Sequence, residues 1–256
     1  MNLFDPPRLV YHGTFHEVMG GRASANSPLL FEDENGLRFL AKALHDDHPN
    51  LVVNEWIGQG VAAALGLRVP PAALTVIRGR RMFATAYVEG RSLATYGLHN
   101  LRERLADWQD LLLMLCADLI TMNNDRHHGN VFVVREGNLD LVVAIDHDRC
   151  LYQHMGADDA MEFKHGTTCA NVVHVEQANL IRQIGPTVED FSGCFKACAA
   201  LTDTQIEEII DPVSADLGAG HCQRVADILR ERRDNIAACI AQVMQANAVH
   251  SYVTPS

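Results

Sequence analysis

Residues 123–130 read NNDRHHGN, a dense run of polar and charged side chains between two apolar stretches. Residues 101–122 before it have the apolar periodicity of one long amphipathic helix, and residues 130–134 after it have the pattern of a short apolar strand. A polar run at the junction of two buried elements is usually functional. We therefore take Asp125 and Asn130 as members of a candidate site. The alternative is a polar turn whose side chains cap backbone groups.

A second apolar strand pattern, at residues 139–145, is followed by Asp146, His147 and Asp148. The turn-forming residues 136–138 separate it from the first strand, so the two predict a small hairpin. A carboxylate that directly follows a buried strand is fixed in position, and oxygen ligands suit Mg²⁺. We expect Asp146 to share a metal site with Asn130. The alternative is a carboxylate that merely ends a strand in a turn.

The first third of the chain offers a lysine and a partner acid. Lys42 lies in the apolar run 39–44, and the chain has only three lysines against eighteen arginines, so its presence inside a strand is conspicuous. Glu55 follows thirteen residues later in a predicted helix over 51–67, from which it can reach back to Lys42. The alternatives are a solvent-facing lysine on the strand and a glutamate on a solvated helix face.

A loop rich in small residues precedes that lysine. Residues 19–28 read MGGRASANSP, and small residues let backbone N–H groups approach phosphates closely. We expect Gly21, Ser24 and Ser27 to lie at the phosphates of a nucleotide. A flexible loop with no ligand is the alternative.

Taken in chain order, these residues match the parts that phosphoryl transfer requires. A carboxylate must orient the attacking hydroxyl, an amide and a second carboxylate must hold Mg²⁺ against the phosphates, and a lysine held by an acid must bind the phosphates. Asp125 can serve as the first carboxylate, Asn130 and Asp146 as the metal ligands, and Lys42 with Glu55 as the phosphate pair. The residues therefore predict transfer from ATP with Mg²⁺.

The same residues resemble a known family. Residues 125–130 read DRHHGN and residues 145–147 read IDH, which is similar to the DRHxxN and IDxG pattern of phosphatidylinositol kinases and of bacterial HipA-like kinases. Residues 54–55 (NE) and 65–70 (LGLRVP) also resemble a HipA-like signature, so the resemblance covers roughly residues 12–150. It implies a protein-kinase-like fold and an ATP- and Mg²⁺-dependent kinase, typically acting on protein Ser or Thr.

The resemblance also implies individual roles. Asp125 would be the catalytic base, with His127 orienting its loop, and the backbone near Tyr87 and Val88 would hold the adenine. HipA-type kinases silence themselves by phosphorylating a serine in the loop before the lysine, which makes Ser24 and Ser27 candidates for autophosphorylation. HipA relatives often pair with a helix-turn-helix antitoxin, so an antitoxin-type partner is a further expectation.

Two departures from the family pattern keep other functions open. Asp148 stands where a DFG-like motif has glycine, and Asn123-Asn124 stands where eukaryotic protein kinases have His-Arg. The alternatives are a small-molecule kinase of the aminoglycoside or choline type, a lipid kinase, and a pseudokinase that binds ATP and acts through a partner. A metal hydrolase built on His127, His128 and His147 is a fourth alternative.

The order of elements predicts an α+β fold. Strand patterns at residues 29–31, 37–44, 73–77 and 82–88 surround the one helix of the first ninety residues, and helical patterns such as 202–210 and 222–248 dominate after the hairpin. Segregated strands and helices favour α+β over a doubly wound sheet. We predict a bilobal, protein-kinase-like molecule with a β-rich N-lobe over residues 1–88 and a mainly helical C-lobe over residues 89–256.

Composition excludes several other classes. A formal net charge of −11 disfavours broad contact with DNA or RNA, because an acidic surface repels phosphate backbones. The sequence has no apolar run of 18 residues and no signal-peptide pattern at its start, which favours a cytoplasmic protein without a membrane span.

Its seven cysteines are odd in number and include no CxxC, so we expect reduced thiols packed as small hydrophobic side chains. Two basic runs, 78–81 and 230–234, are expected as a solvated turn and an exposed helix face with internal charge pairs.

Overall fold

The structure is a computed structural model that describes residues 15–19, 28–33, 35–43, 50–77, 79–151 and 169–250. Its first part is a five-stranded antiparallel sheet in which the strands lie in the order β1-β2-β3-β5-β4. The strands are β1 (Phe15–Met19), β2 (Leu29–Asp33), β3 (Arg38–Ala43), β4 (Ala72–Ile77) and β5 (Arg80–Ala86). The four strands predicted in this region are all present, with ends shifted by at most two residues.

The hairpin between β2 and β3 is closed by Asp33. Its carboxylate accepts hydrogen bonds from the backbone N–H groups of Asn35 (2.9 Å) and Leu37 (2.7 Å), and Gly36 adopts a positive φ of 76°. This side-chain-to-backbone bonding is the mechanism by which aspartate favours turns. The hairpin fixes the register of β3 and so the position of Lys42, which pairs with Phe83 on β5.

Helix α1 (Leu51–Ala64) connects β3 to β4 and carries Glu55. Almost all of its residues are buried, which is unusual for a connecting helix and means that it is covered on several sides. It ends three residues before the predicted limit, because Gly66 takes a left-handed conformation with φ of 93° and the chain turns toward β4.

The predicted single helix over residues 101–122 is wrong. The structure contains the short α3 (Leu101–Arg104) and then α4 (Asp110–Thr121), with an irregular turn between them; an earlier short helix is α2 (Leu93–Tyr96). In the turn, the backbone N–H of Ala106 donates to the carbonyl of Asp140, and the Asp107 carboxylate accepts from the N–H of Val142. These long-range bonds interrupt a helix that apolar periodicity alone would continue.

A second sheet holds the predicted hairpin. Strands β7 (Val131–Glu136) and β8 (Leu139–Ala144) pair antiparallel, with Val131 opposite Ala144, and β6 (Arg91–Ser92) pairs with β7 on the other side. A 3₁₀ turn (His128–Asn130) leads into β7. The hairpin therefore brings the end of β8 beside the polar run before β7.

The rest of the described chain is helical. The helices are α5 (Cys169–Val172), α6 (Val175–Ile184), α7 (Ser192–Ala200), α8 (Asp203–Ile210), α9 (Ser214–Leu217), α10 (Ala219–Asp234) and α11 (Ile236–His250). The predicted helix over 222–248 is two helices, because α10 ends at Asp234 and α11 begins after Asn235. A strand-rich first part followed by helices is the predicted α+β arrangement. No helix of the described ranges is long and apolar enough to cross a bilayer.

One hydrophobic core joins the two parts. It runs from Ile57 and Trp56 of α1 through Leu115 of α4 to Ile206 of α8 and Leu229 of α10. A smaller cluster, including Phe31, Phe39 and Met82, lies on the sheet itself. Because α1 belongs to the main core, the helix that carries Glu55 is packed against the C-terminal helices as well as its own sheet.

The expectation that all the cysteines are reduced thiols is wrong for one pair. Cys169 of α5 and Cys239 of α11 form a disulfide, with their Cα atoms 5.2 Å apart across a sequence separation of 70 residues. Folding brings two scattered cysteines together here, so their spacing in the sequence carries no sign of it. Cys116, Cys150, Cys194 and Cys198 are free, buried thiols, as expected.

Candidate active site

Asp125 lies in the turn between α4 and β7, held through its backbone. Its N–H donates to the side-chain oxygen of Asn123 (3.2 Å), and its carbonyl accepts from the side-chain amide of Asn130 (3.0 Å). Its carboxylate is half-buried and accepts no hydrogen bond from any residue that the structure describes. Asp125 is thus fixed in place with its side chain available to a ligand.

Arg126 joins this turn to the end of β8. Its guanidinium is 2% exposed and lies 3.0 Å from the Asp118 carboxylate of α4. It also donates to the carbonyl of Asn130 (2.9 Å), bonds to the carbonyl of Ile145, and lies 3.1 Å from Nδ1 of His147. One buried side chain therefore holds the polar run and the residues around Asp146 in a fixed relation.

The buried carboxylate of Asp118 holds Arg126 and the turn before β7 in place. Besides Arg126, its carboxylate accepts from the side-chain amides of Asn123 (3.0 Å) and, from α6, Gln177 (2.7 Å). Three side chains, two from the turn before β7 and one from α6, thus converge on one buried carboxylate. Asp118 and Gln177 were missed in the sequence, and the role of Arg126 was not assigned although it stands inside the quoted motif.

Lys42 and Glu55 form the ion pair that the sequence predicts. Lys42 Nζ lies 2.5 Å from Glu55 Oε1 and 2.7 Å from Asp146 Oδ1. The Glu55 side chain is 2% exposed and that of Lys42 15% exposed, so the alternative of solvated side chains is wrong for both. The second oxygen of Glu55 accepts from the backbone N–H of His147 (2.8 Å). Glu55 therefore positions both the lysine and the chain beside Asp146.

Asp146 follows β8 in a left-handed conformation with φ of 60°. A positive φ is uncommon for a residue other than glycine and usually marks a constrained site. The conformation turns the Asp146 carboxylate toward Lys42 and lets the next residue bond back to Glu55. The strand-end carboxylate is therefore part of a network, and not a turn residue in solvent.

Asp148 belongs to the same group. Its carboxylate lies 3.6 Å from Lys42 Nζ, and its backbone carbonyl accepts from the Asn54 side chain of α1 (2.8 Å). In the described residues, Glu55, Asp146 and Asp148 are the one set of three acidic, histidine or cysteine side chains whose ligand atoms lie within 4.8 Å of one another. In the sequence, Asp148 stood out only as the residue that replaces the glycine of a DFG-like motif. The structure places its carboxylate in the site.

The pKa values of the charged side chains in this group depend on one another. Burial is the largest effect on Lys42 and opposes its charge, but the surrounding carboxylates of Glu55, Asp146 and Asp148 overcome it and raise its pKa. Burial also opposes ionisation of Asp146, yet Lys42 lowers its pKa to about 2. Burial, followed by the repulsion from Asp146, raises the pKa of Asp148. These shifts favour a charged Lys42 and an ionised Asp146 at neutral pH.

A cleft of about 290 Å³ opens above this group. Its charged lining is formed by Lys42, Glu55, Asp146 and Asp148. The rest of its lining is mainly apolar and comes from both sheets and the segment after β5: Leu40, Phe83, Ala86, Tyr87, Val88, Phe132 and Ile145. The predicted Tyr87 and Val88 thus line the cleft, and the Tyr87 N–H donates to the Arg38 carbonyl (2.7 Å).

The three histidines of the site do not converge on one point. His127 Nδ1 accepts from the N–H of Gly129 (3.0 Å), and His128 contacts Glu176 of α6 through its ring and its backbone N–H. His147 is buried beside Arg126, and burial lowers its pKa well below the ordinary value. The structure gives no support to a hydrolase metal bound by these histidines.

The predicted Gly21, Ser24 and Ser27 lie outside the described residues, and their roles stay predictions. Of the other predicted residues, the structure brings Lys42, Glu55 and Asp146 into direct contact. Asp125 and Asn130 bond to each other and are tied to the end of β8 through Arg126.

No protein-family model and no curated protein matches the sequence. Among solved structures, the chain is similar to the proinflammatory kinase CtkA of Helicobacter pylori, with a TM-score of 0.55 and 14% identity over 95% of this chain and 99% of that one. It is also similar to HipA of Shewanella oneidensis, solved in a toxin–antitoxin complex with HipB and operator DNA, with a TM-score of 0.50 and 14% identity over 92% of this chain and 67% of that one.

A third similar structure is the Rio2 kinase of Chaetomium thermophilum in an ADP/Mg²⁺-phosphoaspartate complex. Its TM-score is 0.46 at 12% identity, over 88% of this chain and 72% of that one. At these identities the first two likenesses establish the fold alone. The chain has the predicted bilobal, protein-kinase-like fold, and the division at residue 88 stays a prediction.

Proposed function

We propose that this chain is an ATP- and Mg²⁺-dependent phosphotransferase that moves the γ-phosphate to a hydroxyl group, with protein Ser or Thr as the favoured acceptor. One observation carries the proposal: Lys42 lines the cleft and is held there by Glu55 and Asp146. Such a group contributes little net stability, because ordering and desolvating three charges offsets much of their attraction, so its presence favours a functional role. Binding of nucleotide phosphates supplies that role.

The lining of the cleft suits a nucleotide. Its apolar side chains offer contact for a base, and the backbone at Tyr87 and Val88 offers polar groups beside them. Lys42 lines the same cleft and supplies the cation that nucleotide phosphates require. We therefore assign adenine to Tyr87 and Val88 and the phosphates to Lys42.

The residues present fit a Mg²⁺ ion. Asn130, Asp146 and Asp148 offer hard oxygen donors, which is the donor set that Mg²⁺ prefers. The Asn130 amide nitrogen is engaged with Asp125, which leaves its oxygen for an ion, and both oxygens of Glu55 are already engaged. Bound Mg²⁺ would neutralise charge on the phosphates.

Asp125 would act on the acceptor. Its free carboxylate would accept a hydrogen bond from the attacking hydroxyl and take its proton as the oxygen bonds to the γ-phosphorus. The bond from that phosphorus to the β–γ bridging oxygen breaks, and ADP leaves. Asp118 and Arg126 would keep Asp125 in line with the phosphates, since they bond the turn to the end of β8.

The acceptor class rests on resemblance as well as chemistry. The DRHxxN motif at residues 125–130, with its resemblance to HipA-like kinases, supports a protein acceptor. The similarity to HipA, which was solved in complex with HipB, supports an antitoxin-type partner. A small-molecule acceptor is the second candidate. A pseudokinase is less favoured, because Lys42, Asp125 and Asp146 are all present.

The test is incubation of the purified chain with Mg²⁺ and γ-labelled ATP, beside an Asp125→Asn variant. We expect label on protein with the parent and loss of label in the variant. Mapping of that label tests Ser24 and Ser27 as acceptors. ATP binding without any label in either protein would favour a small-molecule acceptor or a pseudokinase, and absence of ATP binding would overturn the proposal.

A further inference from the structure

Helix α1, which carries Glu55, is attached to the C-terminal helices by Trp56, the residue that follows Glu55. The indole N–H of Trp56 donates to the carbonyl of Ile209 at 2.8 Å, and Trp56 is 3% exposed. Ile209 lies in the last turn of α8. Trp56 therefore links α1 to α8 through one buried hydrogen bond, which fixes α1 at a defined distance from α8.

Gly60 brings the two helices closer still. A Cβ atom at this position would lie 2.8 Å from Cγ2 of Ile209, closer than such atoms approach, and 3.2 Å from its Cγ1, which is a tight contact. Glycine is disfavoured inside helices, so its presence within α1 is explained by this close packing. Isoleucine is branched at Cβ and has little rotamer freedom with which to move aside.

Arg81 attaches the sheet to the next part of the same segment. Its guanidinium donates to the Pro212 carbonyl (2.8 Å) and lies 3.0 Å from the Asp216 carboxylate of α9. The sequence predicted a solvated turn at residues 78–81, and for Arg81 that prediction is wrong. Residues 203–217 thus contact both α1 and β5, the two elements that flank β3 and its Lys42.

We propose that residues 203–217 act as a clamp that fixes α1 in the position at which Glu55 holds Lys42, and that Trp56 and Gly60 are positioning residues for the site. The inference rests on the proposed function, because it assigns a purpose to the Lys42–Glu55 pair. It adds that the pair is assembled before any nucleotide binds, through contacts from the far end of the chain.

The geometry explains why a small movement would matter. Glu55 makes two short contacts at once, 2.5 Å to Lys42 and 2.8 Å to the N–H of His147. Hydrogen bonds weaken steeply as they lengthen or bend, so a shift of α1 by a few tenths of an ångström would loosen both. Glu55 is adjacent in sequence to Trp56 and about one turn from Gly60, so the clamp acts close to the carboxylate it positions.

The decisive variant is Gly60→Ala, which forces α1 and α8 apart without adding a polar group. We expect the KM for ATP to rise on the order of tenfold, since misplacement of a binding group by an ångström can cost a hundredfold. We also expect faster amide hydrogen exchange across residues 51–64 without nucleotide. The matched control is Gly193→Ala at an exposed position of α7, where an added Cβ meets nothing within 4 Å.

A second substitution that removes the clash distinguishes misplacement of α1 from general damage to the fold. The double variant Gly60→Ala/Ile209→Ala removes the side chain that the new methyl group meets, so we expect KM and exchange to return toward the parent values. Trp56→Phe, which keeps an aromatic ring but loses the N–H, should raise KM for ATP and exchange in the same direction. Parent-like KM and exchange in Gly60→Ala, or a double variant no better than the single one, would overturn the clamp.

The hydrogen-exchange measurement also distinguishes the two proposals. A parent chain that binds no ATP would overturn the proposed function. The exchange rates of Gly60→Ala, Gly193→Ala and the double variant would then still decide whether residues 203–217 hold α1. Equal exchange in all three would overturn the clamp whatever the result with ATP.

Discussion

The guanidinium of Arg126 lies 3.0 Å from the carboxylate of Asp118, and both side chains are almost completely buried. The pair links α4 to the end of β8, because the same guanidinium bonds the carbonyls of Asn130 and Ile145. Buried ion pairs contribute little net stability compared with apolar packing, but loss of one partner leaves a buried charge uncompensated. The pair therefore serves to fix the relation between Asp125 and Asp146.

The first prediction is that Asp118→Asn lowers the free energy of unfolding by about 3–5 kcal/mol, the usual effect of breaking a buried pair. Urea denaturation measures it. The matched control is Glu32→Gln, because the Arg38–Glu32 pair has a distance of 3.6 Å and both side chains are exposed, so its loss should cost less than about 1 kcal/mol. Similar losses in the two variants would show that Asp118 does not hold Arg126 as described.

The second prediction concerns Gly58, which lets residues 146–150 pack onto α1. A Cβ atom there would lie 2.5 Å from Cβ of His147 and 2.6 Å from Sγ of Cys150. Gly58→Ala should therefore push the chain beside Asp146 away from Glu55. We expect a free energy of unfolding lower by about 1–3 kcal/mol, as for overpacked cores, together with weaker nucleotide binding.

Gly193→Ala is again the control, since helix propensity alone should make it neutral or stabilising by up to about 1 kcal/mol. Chemical denaturation and fluorescence titration with a nucleotide analogue measure the two effects. A Gly58→Ala protein as stable as Gly193→Ala would mean that the close approach of His147 and Cys150 to α1 is not maintained in solution.

The parts of the site that were predictable are those whose chemistry stands out against their neighbours. Asp125 and Asn130 interrupt apolar elements, Lys42 is a rare lysine within a strand, and Asp146 follows a buried strand. Local contrast of this kind needs no knowledge of the fold. The same holds for the hairpins, whose turn residues bond to their own backbone.

The parts that were not predictable depend on partners far away in sequence. Asp118 lies within an apolar helix, and its partner Gln177 is 59 residues away on α6. Helix periodicity likewise could not show that Ala106 leaves the helix to bond Asp140. Asp148 was read against a family pattern as a lost glycine, although its carboxylate joins Glu55 and Asp146 once the chain has folded.

The third prediction tests that carboxylate. If Asp148 is a ligand of the metal, Asp148→Asn should weaken Mn²⁺ binding by at least about tenfold, since even outer partners of metal ligands contribute tenfold or more. Electron paramagnetic resonance of free Mn²⁺ measures this without any reaction. The control is Asp227→Asn, which removes the same charge from a side chain that is 61% exposed on α10. Equal Mn²⁺ affinity in the two variants would remove Asp148 from the metal site.

The fourth prediction concerns pH and a pair of acids at the start of α4, away from the metal ligands. Burial, followed by the repulsion from Asp107, raises the pKa of Asp110 from its ordinary value of 3.8 to about 7. Arg68 contacts both carboxylates and lies 3.2 Å from Asp110, but it compensates only part of this effect. At pH values between 3.8 and about 7, the folded protein therefore keeps a proton on Asp110 that the unfolded chain has released.

A raised pKa in the folded state contributes stability that is fully present below the unfolded value of 3.8 and is lost as the pH rises through about 7. Asp110→Asn imitates the protonated acid at every pH. We expect the parent to lose on the order of 2 kcal/mol more than the variant between pH 5 and pH 8, given about 1.4 kcal/mol for each pKa unit. Denaturant unfolding at both pH values measures the difference. Titrating groups away from Asp107 and Asp110 act equally in both proteins. Parallel pH profiles would therefore contradict the raised pKa of Asp110.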